Sequence, residues 1–229
     1  MRQPSKAAAF PTLQRRSEAT RARLLDAAEA LLAAAGVEAC TVPAIAERAG
    51  VAVGSVYRRF PDKDALLRAV HDRFFERTGA LNLAALDPNA CRDVATADLV
   101  AALVGGLVAG YRANRGILAA LIRYAESHPD PTFRRTADQA RDRTLVSIRA
   151  MIVERVGDIG HQTPGPAVDF LMAVLATVAR AAILDQRPVL RTRTDEQLTK
   201  ELTRLAVGYL GVGPPPKRRC RQARLPVRS

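Results

Sequence analysis

Seven side chains within 23 residues carry the most legible chemistry of this sequence: Thr41, Val53, Ser55, Tyr57, Arg58, Arg59 and Lys63, in TVPAIAERAGVAVGSVYRRFPDK. Hydroxyls, guanidinium groups and an ammonium are donors suited to anionic oxygen, and the arginine fork also matches the acceptor edge of guanine. Two short helices joined by a tight turn must hold them. Thr41 is the expected N-cap of the first, its hydroxyl accepting from Ala44 because Pro43, inside the first turn, has no N–H to give. Ile45, Ala46 and Ala49 form the inward stripe, Glu47 and Arg48 face out, and Gly50 ends the helix in a left-handed conformation. After Val51 and Ala52, a second helix is predicted over 53–60. Val56 and Phe60 face its core, while Val53, Ser55, Tyr57, Arg58 and Arg59 are left outside. Pro61 stops it and Asp62 caps the next helix. Such an outer face suits a helix lying in the DNA major groove.

Residues 20–70 resemble the DNA-binding domain of the TetR family of bacterial transcription regulators. The resemblance rests on Leu24, Ala27, Ala28, Gly36, Thr41, Ile45, Ala46, Ala49, Gly50, Val51, Gly54, Tyr57, Phe60, Lys63 and Leu66, and covers about the first third of the chain. It implies an all-α fold, with an N-terminal three-helix helix-turn-helix domain followed by a helical ligand-binding and dimerisation domain. Two positions depart from the family's pattern. Ala52 stands where a capping serine is common, an absence worth roughly 0.5–2 kcal/mol, and Arg59 stands where a histidine is common. On this reading Thr41, Tyr57 and Lys63 mainly hold phosphates, Val53, Ser55 and Arg58 meet base edges, and Arg59 does either.

Composition agrees with helices: 48% of residues are hydrophobic, much of that alanine and leucine, and there is no tryptophan. No stretch of about 18 apolar residues lacks a charge, which predicts no transmembrane span, and the N-terminal apolar run is too short for a signal peptide. Cys40, Cys91 and Cys220 are odd in number and far apart. Isolated thiols in a reducing cytoplasm are expected, rather than a disulfide framework or a redox switch. The net charge of +12 is uneven: residues 1–80 hold 13 Lys/Arg against 9 Asp/Glu, and residues 212–229 hold 6 against none. An anionic partner fits this balance, which does not by itself identify DNA.

In chain order, residues 1–16 read as a flexible basic arm, either solvated or reaching the DNA minor groove through Arg15 and Arg16. Residues 17–62 form the helix-turn-helix domain, braced by a first helix over 17–35 with Leu24, Ala28, Leu31 and Ala35 on one face. Residues 63–81 form a connecting helix with Leu66, Leu67, Val70 and Phe74 inward, and Gly79 with Asp87-Pro88 marks a boundary. Residues 82–211 form the second helical domain, with helices at about 93–113, 115–128, 131–157, 166–186 and 195–210. Asp130-Pro131 and the capping box Thr194-x-x-Gln197 open two of them. Residues 212–229 read as a disordered basic tail, either solvated or adding salt-sensitive attraction to DNA or acidic surfaces.

The helix over 166–186 is apolar nearly all round, so it is buried in a core or against a partner. The family resemblance implies that it and the helix over 195–210 form a four-helix homodimer interface, with Ala173, Ala176 and Ala179 permitting close approach. The resemblance also implies an unknown small-molecule effector, for which Tyr111, Arg123, Tyr124, Phe133, Phe170, Met172 and Arg180 are candidate contacts. A core or surface role competes with each. Arg180 needs a charge partner, which Asp169 of a second subunit, a surface position or an acidic ligand would supply. Repression is expected over activation or effector-independent DNA binding, on a near-palindromic double-stranded operator.

Other classes find little support. His71, His128 and His161 have no metal-ligand spacing, and no nucleophile elbow, P-loop or dinucleotide glycine pattern occurs. No catalytic residue, cofactor or metal is therefore expected. A helical enzyme or carrier, or a basic protein docking on a membrane through its tail, would have no need of Tyr57, Arg58 and Lys63 in this arrangement.

Overall fold

A computed structural model describes residues 9–85 and 94–213. The N-terminal part is built from α1 (Ala9–Ala39), α2 (Val42–Ala49), α3 (Val53–Tyr57) and α4 (Lys63–Ala85). After it come α5 (Thr96–Ala113), α6 (Arg115–Ser127), α7 (Pro131–Val153), a 3-10 turn (Val156–Asp158), α8 (Pro164–Ile183), the one-turn α9 (Pro188–Arg191) and α10 (Asp195–Leu210). All regular structure among the described residues is helical.

The stop and start signals act as anticipated. Thr41 accepts from Ala44 N at 3.3 Å, Asp62 Oδ1 from Ala65 N at 2.7 Å and Asp130 Oδ1 from Thr132 N at 2.8 Å. Gly50 adopts φ 63 and donates its N–H to Glu47 O, as a left-handed C-cap requires. Thr194 and Gln197 close the capping box, and α3 starts at Ala52 with no side-chain cap.

Several boundaries differ. Helix α1 begins at Ala9, so residues 9–16 of the expected arm are helical, and its regular course breaks at Gly36 (φ 77). Helix α3 ends at Tyr57 instead of residue 60, because Arg59 and Phe60 both bond back to Val56 O and tighten the chain into a turn. Helix α4 runs past Gly79 to Ala85; the Asp87-Pro88 signal, Cys91, residues 1–8 and most of the basic tail lie outside the described residues. Pro164 and Gly165 form the first turn of α8, where a proline's missing donor costs little. Ala35 is exposed, and Leu25 and Leu32 take its place on the buried face of α1.

Two apolar clusters organise the molecule. The first joins Leu24, Leu25, Ala28 and Leu32 of α1, Ile45 of α2, Val56 of α3 and Leu66, Val70 and Phe74 of α4 to Ile117, Leu118, Leu121 and Ile122 of α6. The helix-turn-helix thus shares its core with the next domain. The second unites α5, α7, α8 and α10 through Val104, Val108, Ile152, Val168, Leu171, Leu202 and Leu210. By length and composition α5 and α8 could each cross a membrane, against the expectation of no such span. Each nevertheless packs a buried face into this second cluster. Three of their ions are paired: Arg112 with Asp195 (3.0 Å), Asp169 with Arg149 (3.2 Å) and Arg180 with Glu126 (3.0 Å).

One helix crossing within the first cluster is unusually close. A Cβ built on Gly116, at the start of α6, would stand 2.1 Å from the Ala33 carbonyl oxygen of α1. Only a residue without a side chain permits that crossing. Gly116→Ala is therefore expected to destabilise the protein by roughly 1–3 kcal/mol, the usual effect of overpacking. Gly106→Ala, at an exposed helical position with no atom within 4 Å of the added methyl, should be neutral or stabilising by about 0.5–1 kcal/mol. Denaturant titration of both variants reads the contrast.

Candidate nucleic-acid interface

The candidate recognition surface is α3 and the residues that pin it. Val56 and Phe60 are buried, while Val53 and Tyr57 are 41% and 53% exposed. The outward side of the helix is therefore Val53, Gly54, Tyr57 and Arg58, with half-buried Ser55 at its edge. Thr41 is exposed at the start of α2, and its capped hydroxyl keeps an O–H to donate.

The seven candidates divide by what their polar groups already touch. Arg58 donates to Ser55 Oγ at 2.7 Å. Arg59 reaches Ser55 O at 3.0 Å and Ser17 O of α1 at 3.4 Å, and Lys63 donates to Val37 O at 3.2 Å. Arg59 and Lys63 are half-buried and neutralise carbonyls within the head. Thr41, Val53, Tyr57 and Arg58 remain as outward groups.

Sequence reasoning missed two residues that hold this surface. Arg23 donates to Ala49 O and, at 3.2 Å, to Gly50 O, placing a cation on the carbonyl end of α2 where the turn to α3 begins. The Arg21 guanidinium lies 5.5 Å from the Phe60 ring centroid. Both follow Thr20 on a helix face recognised only by its leucines, and no local signal names their distant partners. Cys40 is fully buried against Ala28 O. Burial pushes its thiol up to about 11 although Lys63 pulls the other way, so it has no thiolate to act as a redox switch.

The effector candidates do not converge on one place. Tyr124 and Phe133 sit where α4 meets α6 and α7. There the Tyr124 hydroxyl donates to Asp64, and Arg68 Nε donates to the same carboxylate at 2.7 Å. His128 accepts from Asp130 N on Nδ1 at 3.1 Å, so its hydrogen is on Nε2 and is given to Asp64 Oδ1 at 2.8 Å. Phe133 packs against His128 (4.7 Å) and His71 (5.4 Å), and the Arg68 guanidinium lies 4.6 Å from its centroid. These residues fasten α4. Tyr111 lies half-buried between the two apolar clusters. Burial raises its phenol, and Arg141 and Arg180 partly offset the effect. The partners of Arg180 are Glu126 and Asp185 (3.6 Å) of the same chain, and Asp169 belongs to Arg149. Neither a second subunit nor an acidic ligand is needed to neutralise Arg180. Met172 is in the core, Arg123 is on the surface and Phe170 is 60% exposed. Two concavities, about 500 Å³ beside Arg23, Asp26, Glu47 and Arg48 and about 400 Å³ beside His161 and Tyr209, are open surface features. Neither lies among the middle helices.

Comparison with known proteins agrees with this architecture. The profile described as "Bacterial regulatory proteins, tetR family" matches residues 24–70, and "Tetracyclin repressor-like, C-terminal domain" matches residues 96–210. The "HTH-type transcriptional repressor KstR" of Mycolicibacterium smegmatis is 50% identical over 60 residues, which is 26% of this chain and 29% of that protein. Its namesake in Rhodococcus jostii is 53% identical over 57 residues, 25% and 27% of the two chains. The match thus spans under a third of these curated relatives' length. A TetR-family regulator from Mesorhizobium loti superposes with a TM-score of 0.69 at 18% identity, over 86% of this chain and 98% of that one. The regulator FadR from Bacillus subtilis, solved in complex with stearoyl-CoA, gives 0.60 at 16% identity over 82% and 97%. Both likenesses concern the fold.

Asp64 gives the fastening of α4 a pH signature. Burial raises its carboxyl, but hydrogen bonds from Tyr124, Arg68 and His128 outweigh burial and bring it from 3.8 to about 2. A carboxyl depressed on folding stabilises above its unfolded value and loses that contribution as pH falls through the folded one. Asp64→Asn is therefore expected to be less stable than wild type at pH 7, with the gap closing between about pH 4 and pH 2. Denaturant titrations across that range check it; a gap unchanged by pH would remove the carboxylate from this role.

Proposed function

The chain belongs to the TetR family of bacterial transcription regulators, and on that premise we propose that it is a homodimeric repressor of a near-palindromic operator, released by a small-molecule effector. The observation that carries the reading is the braced α3, whose outward side holds Val53, Tyr57 and Arg58 on a head pinned by Arg23, Arg59 and Lys63. Thr41 and Tyr57 hold phosphates, Arg58 meets a base edge, and Arg59 and Lys63 mainly support the surface. Repression is favoured because the relatives that share the head are repressors by name. Action on DNA places the protein in the cytoplasm.

The second copy docks on the outer sides of α8 and α10. Phe170, Ala173 and Thr177 form an exposed stripe of α8, and Leu205 and Tyr209 are 44% and 36% exposed on α10. Phe170 and Tyr209 are in ring contact, with centroids 5.7 Å apart. Apolar groups clustered on two adjacent helices support an interface. Ala179 takes no part, being in the core of its own subunit. Two heads spaced about one DNA turn, ~34–36 Å, read two half-sites. An effector bound to the second domain shifts the heads through the Asp64 fastening on α4.

Selection of random duplex DNA on the purified protein is expected to enrich an inverted repeat whose binding weakens steeply with salt. Retention without any enriched sequence would reduce the protein to a non-specific polycation. Phe170→Asp is expected to raise the dimer dissociation constant roughly tenfold or more by sedimentation, and to weaken inverted-repeat binding in parallel. A dimer indifferent to that change would move the interface elsewhere.

A further inference from the structure

Within the proposed DNA-binding reading, on which this inference rests, we infer that Ser55 and Arg58 read DNA as one unit. Ser55 is the positioning residue that sets the guanidinium of Arg58 on a single base pair of each half-site, and it contacts no base pair of its own. Arg58 is the C-cap residue of α3 and keeps helical dihedrals three residues after Ser55, so their side chains share a face, and Arg58 donates to Ser55 Oγ at 2.7 Å. One of five N–H donors is used in that bond. A complete two-donor edge of the fork remains, which is what the O6 and N7 acceptors of guanine require. An exposed arginine otherwise loses rotamer freedom when it docks, and a bond made before docking removes part of that loss.

Gly54 supplies an independent observation. Gly54 has no left-handed backbone to explain it, since the glycines with positive φ are Gly36, Gly50 and Gly211. A Cβ there would meet no atom within 4 Å, the Arg58 side chain included. Neither conformation nor internal packing asks for glycine at this point of the exposed face. A bare backbone beside the Ser55–Arg58 pair leaves room for a base edge to approach it.

The neighbouring arginine cannot substitute. Arg59 is committed to Ser55 O and Ser17 O, which ties α3 to α1 and turns its fork away from the outward side. Ser55 therefore holds one arginine through its hydroxyl and the next through its carbonyl, and Arg58 is the arginine left to read.

The test is a double-mutant cycle on the operator from the DNA selection, with every base pair replaced singly and dissociation constants measured for wild type, Ser55→Ala, Arg58→Ala, the double variant and Ser55→Thr. Arg58→Ala should abolish discrimination at one base pair per half-site, roughly 5- to 150-fold, the worth of a good bidentate contact. Ser55→Ala should reduce discrimination several-fold at that same base pair and leave the others unchanged. The double variant should match Arg58→Ala, and Ser55→Thr, which keeps the hydroxyl, should retain discrimination. Losses at two different base pairs, or additive losses at one, would overturn the pairing while leaving the regulator reading intact. A wild-type protein that enriches no sequence would overturn both.

Discussion

The crossing of α1 over α6 is the constraint on which the rest of the molecule depends. Two helices with side chains at their contact stand about 8–10 Å apart; with Gly116 facing the Ala33 carbonyl the backbones themselves meet. This approach carries Ile117, Leu118, Leu121 and Ile122 into the core of the helix-turn-helix. Without them the head would have three short layers around Phe74 and Leu24. With them it is one body with the first part of the second domain, and its orientation follows that of α6.

A second fastening, of a different physical kind, lies further along the same helix. Around Asp64 the contacts are charged and directional, from Arg68, Tyr124 and His128, with Phe133 closing the space beneath. Apolar contacts such as those of Ile117, Leu118, Leu121 and Ile122 beside the crossing tolerate small rotations and resist separation. Hydrogen bonds to a carboxylate weaken steeply with angle and distance. A shift of the α6–α7 corner would break the polar fastening before the crossing opened, so α4 would turn about the crossing instead of detaching. Close packing makes such joints switch between discrete arrangements. The geometry therefore suits a head whose angle responds to events among α5 to α8.

Local signals were the legible part of this fold. Thr41, Gly50, Asp62, Asp130 and the Thr194–Gln197 box act on neighbours within four residues, and they stand where the sequence placed them. The inward stripe of α4 is likewise local in origin. Long-range partners were not legible. Nothing near Arg180 in the chain points to Glu126, and nothing near Tyr124 points to Asp64, 60 residues away. Polar or aromatic residues in aliphatic helices were read as cavity lining, yet such residues serve equally well as fasteners between helices. The missed start of α1 and end of α3 have the same cause. Basic residues at 15 and 16 look like a solvated arm until a helix continues through them, and Arg58 and Phe60 look helical until Val56 O gathers the last amides.

The distribution of cations also corrects what net charge suggests. Arg23, Arg59 and Lys63 belong to the mildly basic head, but their donors satisfy carbonyls at Ala49, Gly50, Ser17, Ser55 and Val37. Three of the head's 13 Lys/Arg thus satisfy its own carbonyls, Arg23 at the C-terminal end of α2 where the dipole favours a cation. Specific contact is left to a few groups on a five-residue helix. A single face of that size reads too few base pairs to be selective. On the proposed dimeric reading selectivity comes from repetition, and the exposed stripe of Phe170, Leu205 and Tyr209 is where a second copy supplies it.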